Sequence, residues 1–343
     1  MEKIDFVLPW VDGNNKEWQD VKKKYLPKNK DNDSLSYARF RDMETLKYVL
    51  RGIEKNCPWF NKIYLITKGY YPKWLNINHK KIVLVNEEEL FIDKSHLPTF
   101  NSVSIEMNLI NLKNLSEKFI YLNDDMVIIN PLKEDRFFKN DLPVDFFVHG
   151  WIPRNTFFEI IKKRDTWIHS INNTLKLINT KSNKKLMNKE FLYHHTYSFK
   201  DKISNFLFKN IYKKIFWIEH WHHPQPLLKS TIKEVFDEFK TEMLVSSKNR
   251  FRSKTDLNQY IYRYWQFING NFYPYKYNDS IISNLDSLNV LENLIKKINS
   301  SPNINLVCFN DSVHLSDNDY NIVKNKLNFF LEEKFPDKAS FEY

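Results

Sequence analysis

The sequence predicts an α/β protein built on a mostly parallel sheet. Short apolar runs of strand length, with β-branched content, recur at 4–10, 62–67 and 81–85. A helically spaced segment at 43–54 separates the first two, and each run ends on polar residues, where open α/β sheets place ligands. The 343 residues are 42% hydrophobic and 16% aromatic, enough to bury a large core, which excludes disorder of the chain as a whole.

Ile4-Asp5-Phe6-Val7-Leu8-Pro9-Trp10 reads as a buried strand delivering the polar loop Asp12-Gly13-Asn14-Asn15. Met43, Leu46, Val49, Leu50 and Ile53 fall on one helical face, and strands follow at Lys62–Thr67 and Lys81–Val85. A helix is expected over Val103–Leu115. Phe119–Leu122 and Met126–Ile129 are strands interrupted by Asn123-Asp124-Asp125, and Val144–Val148 is another. From Trp151 to Trp217 the pattern is irregular and reads as a helical insertion. Thr231-Ile232-Lys233-Glu234 has capping-box form and predicts a helix start. Leu257, Ile261, Tyr264, Trp265 and Ile268 mark a second helix, Asn305–Phe309 a late strand, and Asp319–Lys334 a terminal helix ending near Pro336.

Two widely separated cysteines, Cys57 and Cys308, exclude a disulfide framework and a CxxC-type zinc site, and point to a reducing compartment. The first apolar run breaks at Pro9 and meets Asp12, which does not suit a signal peptide, and no stretch has the length of a membrane span. A cytoplasmic protein is expected. The formal charge of +10 favours anionic partners. Its lysines are scattered in short groups such as Lys22-Lys23-Lys24, which argues against nucleic acid and for a solvated surface, with an anionic membrane surface still open.

Asn123-Asp124-Asp125 is the most informative spot. Adjacent carboxylates at the end of an apolar strand repel each other unless a positive group, such as a divalent cation that also grips a diphosphate, neutralises them. The competing reading is a solvated turn. Five of the ten histidines fall between His194 and His223, three of them in Glu219-His220-Trp221-His222-His223-Pro224. A general base, a zinc ligand and a structural hydrogen bond are all open there, although no HExxH spacing occurs. Arg250 and Arg252 suit phosphate oxygens or a salt bridge to Asp256, and Arg39, Arg41 and Asp42 form a second charged group. Asp12 and Asn310-Asp311 each follow an apolar strand. Neither GxGxxG nor a P-loop is present.

Taken in order, these segments resemble the Stealth family of sugar-phosphate transferases, which includes bacterial capsule and cell-surface polysaccharide phosphotransferases and the catalytic part of animal GlcNAc-1-phosphotransferase. The first region is carried by Ile4 through Asp12-Gly13. The second runs from Arg39-Phe40-Arg41-Asp42 through Asn56-Cys57-Pro58-Trp59, Pro72-Lys73-Trp74-Leu75 and Leu97-Pro98-Thr99-Phe100-Asn101-Ser102 to Tyr121-Leu122-Asn123-Asp124-Asp125. The third runs from His222-His223-Pro224-Gln225-Pro226 to Arg252 and Asp256. The fourth is Cys308-Phe309-Asn310-Asp311, and the ending Phe335-Pro336 to Ser340-Phe341-Glu342 is similar too.

The resemblance implies a GT-A-like, Rossmann-type nucleotide-binding core with a mostly helical insertion. The chain then reads as a nucleotide-sugar-binding half (1–150), an irregular, helical insertion (151–217) that the resemblance does not cover and that is the candidate acceptor region because it departs from the pattern of the rest, and a C-terminal half completing the catalytic core (218–343). The resemblance implies transfer of a hexose 1-phosphate from a nucleotide diphosphate sugar, usually a UDP-sugar, to a sugar hydroxyl of a glycan acceptor, with release of UMP. Carried over residue by residue, His222, Arg252 and Asp125 are catalytic, and His222 is the base with His223 its competitor. Asp124 and Asp125 hold Mg²⁺ or Mn²⁺. Asp12, Arg39, Arg41, Asp42, Asn123, Asp256, Asn310 and Asp311 bind the donor. The rivals are a metal-dependent glycosyltransferase releasing UDP and a non-catalytic carbohydrate-binding module. The remaining lysine excess suits an anionic membrane surface where lipid-linked acceptors are assembled.

Overall fold

Strand β1 (Ile4–Pro9) is buried almost throughout, as its apolar run requires of a strand covered on both faces. α1 (Lys16–Tyr25) follows, its N-terminus capped by Asn15, whose side chain accepts from the Trp18 N–H. After α2 (Leu46–Asn56) come β2 (Ile63–Thr67) and β3 (Ile82–Asn86), the single turn α3 (Glu87–Leu90), α4 (Ser102–Glu106), β4 (Lys118–Tyr121) and β5 (Met126–Ile128). β6 (Phe138–Lys139) and β7 (Leu142–Asp145) pair antiparallel. α5 (Thr166–Lys181), α6 (Lys189–Tyr193) and α7 (Phe199–Leu207) precede β8 (Gln225–Leu228). α8 (Lys229–Ser247), α9 (Tyr260–Asn269), β9 (Tyr273–Pro274), β10 (Ser280–Asn284), α10 (Leu288–Ser300), β11 (Leu306–Asn310) and α11 (Asp317–Lys334) complete the chain. This computed structural model describes residues 2–26, 41–150, 166–182, 188–212, 214–312 and 314–343, so Arg39, Trp151 and Arg154 lie outside the described residues.

The main sheet has the order β3-β2-β1-β4-β8, parallel except for β8, which runs antiparallel to β4. The chain moves outward from β1 to β3 and then returns to set β4 on the other side of β1. The carboxyl ends of β1 and β4 therefore flank the switch point, where Rossmann-type sheets open a ligand crevice. A second sheet, β10-β11-β5, and a third, β6-β7-β9, pair strands from both ends of the chain. The expected α/β core is present, and the described part of 151–217 is mostly helical.

Alternation along the strands builds two cores. Phe6, Leu8, Ile63, Leu65 and Ile120 face one side, packed with α2, α10, α11 and the second sheet. Val7, Tyr64, Ile66, Phe119 and Tyr121 face the other, packed with α5, α8 and α9. On the first side α2 sits so close to β5 that a Cβ at Gly52 would lie 2.7 Å from the Ile128 carbonyl oxygen. Next to it, buried Arg51 donates to Glu342 Oε1 and Oε2 at 2.7 and 2.8 Å and to the Phe335 carbonyl at 2.6 Å, tying the C-terminal segment to α2.

Three local expectations are corrected. The helix expected over Val103–Leu115 is α4 and a separate 3-10 turn (Leu109–Asn111). Asn108 departs from helical geometry and donates from its side chain to the Ser104 carbonyl and to Ser247 Oγ, both at 2.8 Å. α8 begins before Thr231, because Glu117 of the β4 approach accepts the Ser230 N–H at 3.2 Å and caps the helix from outside. The strand expected at Val144–Val148 ends at Asp145, whose carboxylate turns back to its neighbour's Phe146 N–H at 2.7 Å.

Candidate active site

Two loops meet at the switch point. The loop after β1 carries Asp12, whose Oδ1 accepts the Asn14 N–H at 2.9 Å. The loop after β4 carries Asn123, Asp124 and Asp125, and is held to β1 by the Leu122 N–H bonding the Val7 carbonyl at 3.1 Å. A third piece comes from 41–45. Glu44 takes a left-handed conformation (φ 61°), its N–H donates to Asp42 Oδ1 at 2.6 Å, and Thr45 Oγ1 donates to the Asp124 carbonyl at 2.6 Å. α11 clamps this loop, with Tyr320 Oη on the Asp42 carbonyl at 2.7 Å and Asn328 Nδ2 on the Met43 carbonyl at 2.8 Å.

The carboxylates divide by environment. Burial, then the charges of Asp42 and Asp125, push Asp124 well above its ordinary value. Asp42 is raised likewise by burial, with Glu44 and Asp12 adding like charge. Asp125 goes the other way: burial opposes its charge, but His222 beside it prevails and holds it below its ordinary value. His222 Nε2 lies 3.5 Å from Asp125 Oδ2, and the Cys308 thiol donates to that same oxygen at 3.3 Å. Burial lowers the His222 pKa, and the Asp125 charge and hydrogen bond outweigh it, so the imidazole ends above its ordinary value. Asp125, His222 and Cys308 present ligand-type atoms all within 4.8 Å of one another. Asp125 Oδ1, also buried, has no hydrogen-bond partner among the described residues.

Glu106 is the residue that sequence reasoning missed. It is buried, accepts Tyr121 Oη at 3.1 Å, and the Gln259 amide, oriented to donate, reaches its two carboxylate oxygens at 2.8 and 3.0 Å. Tyr262 Oη bonds its carbonyl at 2.7 Å. Burial pushes it up to about 7, while the Arg252 charge pulls it down. Arg252 and Glu106 also act on His222 in opposite senses, so the three groups share one electrostatic neighbourhood. The available signal was a lone acid in the apolar stretch Val103-Ser104-Ile105-Glu106-Met107.

The other expected site residues are engaged within the chain. Asp256, pushed up to about 6 by burial, accepts from Ser253 N–H, Asn249 Nδ2 and Asn101 Nδ2 at 2.9, 2.6 and 3.1 Å, folding the loop that carries Arg252. Arg41 makes a bidentate pair with Asp311 at 2.9 and 3.0 Å, stacks on Tyr320 and reaches the Ser312 carbonyl. Asn310 donates to Asn284 Oδ1 at 2.6 Å. His223 turns its Nδ1 to the Pro224 carbonyl, and burial lowers its pKa to about 4. His220 packs among Trp167, Trp217 and Tyr260.

A pH dependence follows from Glu106. Its folded pKa of about 7 lies above its ordinary 4.5. The stability it confers is therefore complete below about 4.5 and lost as pH rises through 7. Denaturant titrations of Glu106→Gln between these pH values are expected to show a smaller fall in stability than the wild type. An unchanged slope contradicts the assignment.

An α/β protein with this Rossmann-type sheet order, and with carboxylates and an imidazole gathered at its switch point, belongs to the broad class of open α/β folds that take ligands in such a crevice. The chain belongs to the Stealth family. Models of Stealth conserved regions 1, 2 and 3 match residues 2–30, 39–145 and 221–266. It is 35% identical over 348 residues to the capsular polysaccharide phosphotransferase WcwK of Streptococcus pneumoniae, covering 100% of this chain and 98% of that one. It is 34% identical over 355 residues to the receptor polysaccharide phosphotransferase WefC of Streptococcus gordonii, covering 100% and 99%. Against the solved galactosyltransferase LgtC it aligns over 98% of each chain at 9% identity and a TM-score of 0.42, too slight a likeness to bear on function.

Proposed function

We propose that this chain transfers a hexose 1-phosphate from a nucleotide diphosphate sugar, with a UDP-sugar as expected donor, to a sugar hydroxyl in the assembly of a bacterial capsule or cell-surface polysaccharide. The observation that carries this reading is the pairing of His222 with Asp125 at the switch point, within the electrostatic reach of Arg252. The names of its relatives support the reaction class.

The acceptor oxygen attacks the phosphorus that bears the sugar, forming the new P–O bond as the P–O bond to the bridging oxygen breaks. UMP leaves with that oxygen, and the sugar C1–O bond is kept. His222 Nε2 faces Asp125, so the opposite ring nitrogen, Nδ1, takes the acceptor proton, and Asp125 stabilises the imidazolium that forms, much as a carboxylate does in a nucleophile-activating triad. Phosphoryl transfer needs positioning and positive charge more than covalent chemistry, and Arg252 supplies a planar donor set for the phosphate oxygens. The Arg41–Asp311 pair and Asp256 act in this scheme by fixing the loops around the donor, with Asp12, Asp42, Asn123 and Asn310 at its rim. Arg39 is assigned to the donor as well. The insertion, 151–217, is assigned to the acceptor.

The donor set fits a hard divalent cation. Asp125 Oδ1 is buried with no partner among the described residues, the charges of Asp42 and Asp125 both bear on Asp124, and that of Asp12 bears on Asp42. The Cys308 thiol donates a hydrogen bond, and burial pushes its pKa well up, so it is poorly suited to serve as a thiolate ligand. Asp124 and Asp125 would hold Mg²⁺ or Mn²⁺, which neutralises diphosphate charge.

No helix among the described residues is long and apolar enough to cross a membrane. We place the reaction in the cytoplasm, at the inner face of the membrane, with a lipid-linked glycan as acceptor. The test is the nucleotide product: UMP with a phosphodiester supports the proposal, whereas UDP with a plain glycoside, or no turnover across a panel of nucleotide sugars, overturns it.

A further inference from the structure

α7 and the π-helical turn that continues it (Phe208–Tyr212) present an unusual outer face. Phe199 is 81% exposed, Phe206 55% and Ile211 63%. Phe199 and Phe206 are two α-helical turns apart and so share a face. The wider π turn brings the i+5 residue round to the place an α-helix gives to i+4, which sets Ile211 below Phe206. Lys202 and Lys209, each three residues on from Phe199 and Phe206, are half-exposed, and Lys200 beside Phe199 and Lys214 just beyond the π turn are exposed. The one acid of the helix, Asp201, is buried, closes the Ser198 capping box and pairs with Lys276 at 3.0 Å. The face is therefore apolar at its centre and positive at its rim.

The opposite face is fixed to the site. Asn205 Nδ2 donates to the Phe147 and Leu192 carbonyls at 2.7 and 2.8 Å, the His149 N–H donates to Asn205 Oδ1 at 2.8 Å, and Ser204 bonds the His149 carbonyl. Residues 148–150 in turn bond 217–219, through Glu219 N–H to the Val148 carbonyl at 2.9 Å and Gly150 N–H to the Trp217 carbonyl at 2.8 Å. His222 follows three residues later.

We infer that the α7 face is a membrane seat: Phe199, Phe206 and Ile211 enter the boundary of an anionic bilayer while Lys200, Lys202, Lys209 and Lys214 engage its headgroups. Exposed apolar side chains rimmed by lysine suit a lipid surface with negative charge, and the chain's net charge of +10 adds long-range attraction. A comparison within the molecule sharpens the point. α11 also exposes two apolar residues seven apart, Ile322 (51%) and Phe329 (60%), but it carries Asp317, Asp319, Glu332 and Glu333 against Lys324, Lys326 and Lys334, and Lys324 is paired with Glu44. An apolar stripe without net positive charge lacks the electrostatic half of the seat. Through residues 147–150 and 217–219, the seat holds the His222 loop near the lipid surface. Its purpose, delivery of a lipid-linked acceptor, rests on the transfer reading above.

The test is co-sedimentation of the full chain with vesicles of equal parts phosphatidylglycerol and phosphatidylcholine, and with phosphatidylcholine alone. It needs no donor, so its failure leaves the transfer reading intact, and failure of the transfer reading leaves it intact. Binding is expected to the anionic vesicles only, and to fall steeply at about 1 M salt, where the Debye length is about 3 Å. Combined Phe199→Ser, Phe206→Ser and Ile211→Ser is expected to weaken partitioning by at least about tenfold, as is Lys200→Glu with Lys214→Glu, whose exposed positions leave the fold untouched. Ile322→Ser with Phe329→Ser is expected to bind as the wild type does. Absence of wild-type binding, equal binding to neutral vesicles, or equal loss in the α11 pair overturns the inference. So does a concentration-dependent dimer that the α7 substitutions abolish without any vesicle binding, which would make the face a contact between copies.

Discussion

Replacing His222 with alanine is expected to lower kcat by about 10²- to 10⁴-fold, the range that a positioned general base supplies. Donor binding should change little, because nothing in the scheme assigns His222 to the donor's ground state. The reason lies in its surroundings. An imidazole half-withdrawn from water ordinarily loses basicity, yet the Asp125 carboxylate 3.5 Å away reverses that and leaves a ring that is more basic than usual. His223 differs: its Nδ1 is turned to the Pro224 carbonyl, and burial, then the Arg136 charge, drops its pKa to about 4 despite the charge of Asp145. His223→Ala is therefore expected to cost far less. The check is steady-state kinetics of both variants with donor affinity measured separately by calorimetry. A His222→Ala enzyme that loses donor affinity in proportion to turnover contradicts the base role.

The second large effect is expected at Asp125. Asp125→Asn removes the charge that raises His222 and one oxygen of the cation set, and leaves the Cys308 thiol facing an amide in place of a carboxylate. A loss of about 10³-fold or more is expected, several kcal/mol of transition-state stabilisation. Because Asp125 and His222 act as one unit, the double variant is expected to be within about tenfold of the worse single variant, since parts of a catalytic unit do not add. Additive losses contradict the coupling. Full activity of Asp125→Asn together with full wild-type activity in chelator contradicts the cation assignment.

Much of the framework was legible because the chemistry is local. The apolar run Ile4–Pro9 is too short for a core helix and ends at turn residues, so it reads as a strand covered on both sides, and the acids at Asp12 and Asp124-Asp125 stand where such strands end. What the sequence hid depends on partners far along the chain. β10, Ser280-Ile281-Ile282-Ser283-Asn284, was missed because its short run is set by pairing with β11. α8 starts early because of Glu117, and α4 ends early because Asn108 bonds Ser247. At the site, motif order pointed to Arg41 and Asp311 as separate donor ligands, whereas they are bonded to each other across 270 positions. Glu106 escaped notice because its meaning comes from Tyr121, Gln259 and Arg252, which no local window contains.

The central claim concerns which bond breaks, and one labelling experiment reads it directly. A UDP-sugar carrying labelled phosphorus in the phosphate attached to the sugar is turned over with a glycan acceptor, and the products are separated. Transfer of hexose 1-phosphate puts the label in the glycan product and releases unlabelled UMP. Label retained in released UDP, with none in the glycan, contradicts the account.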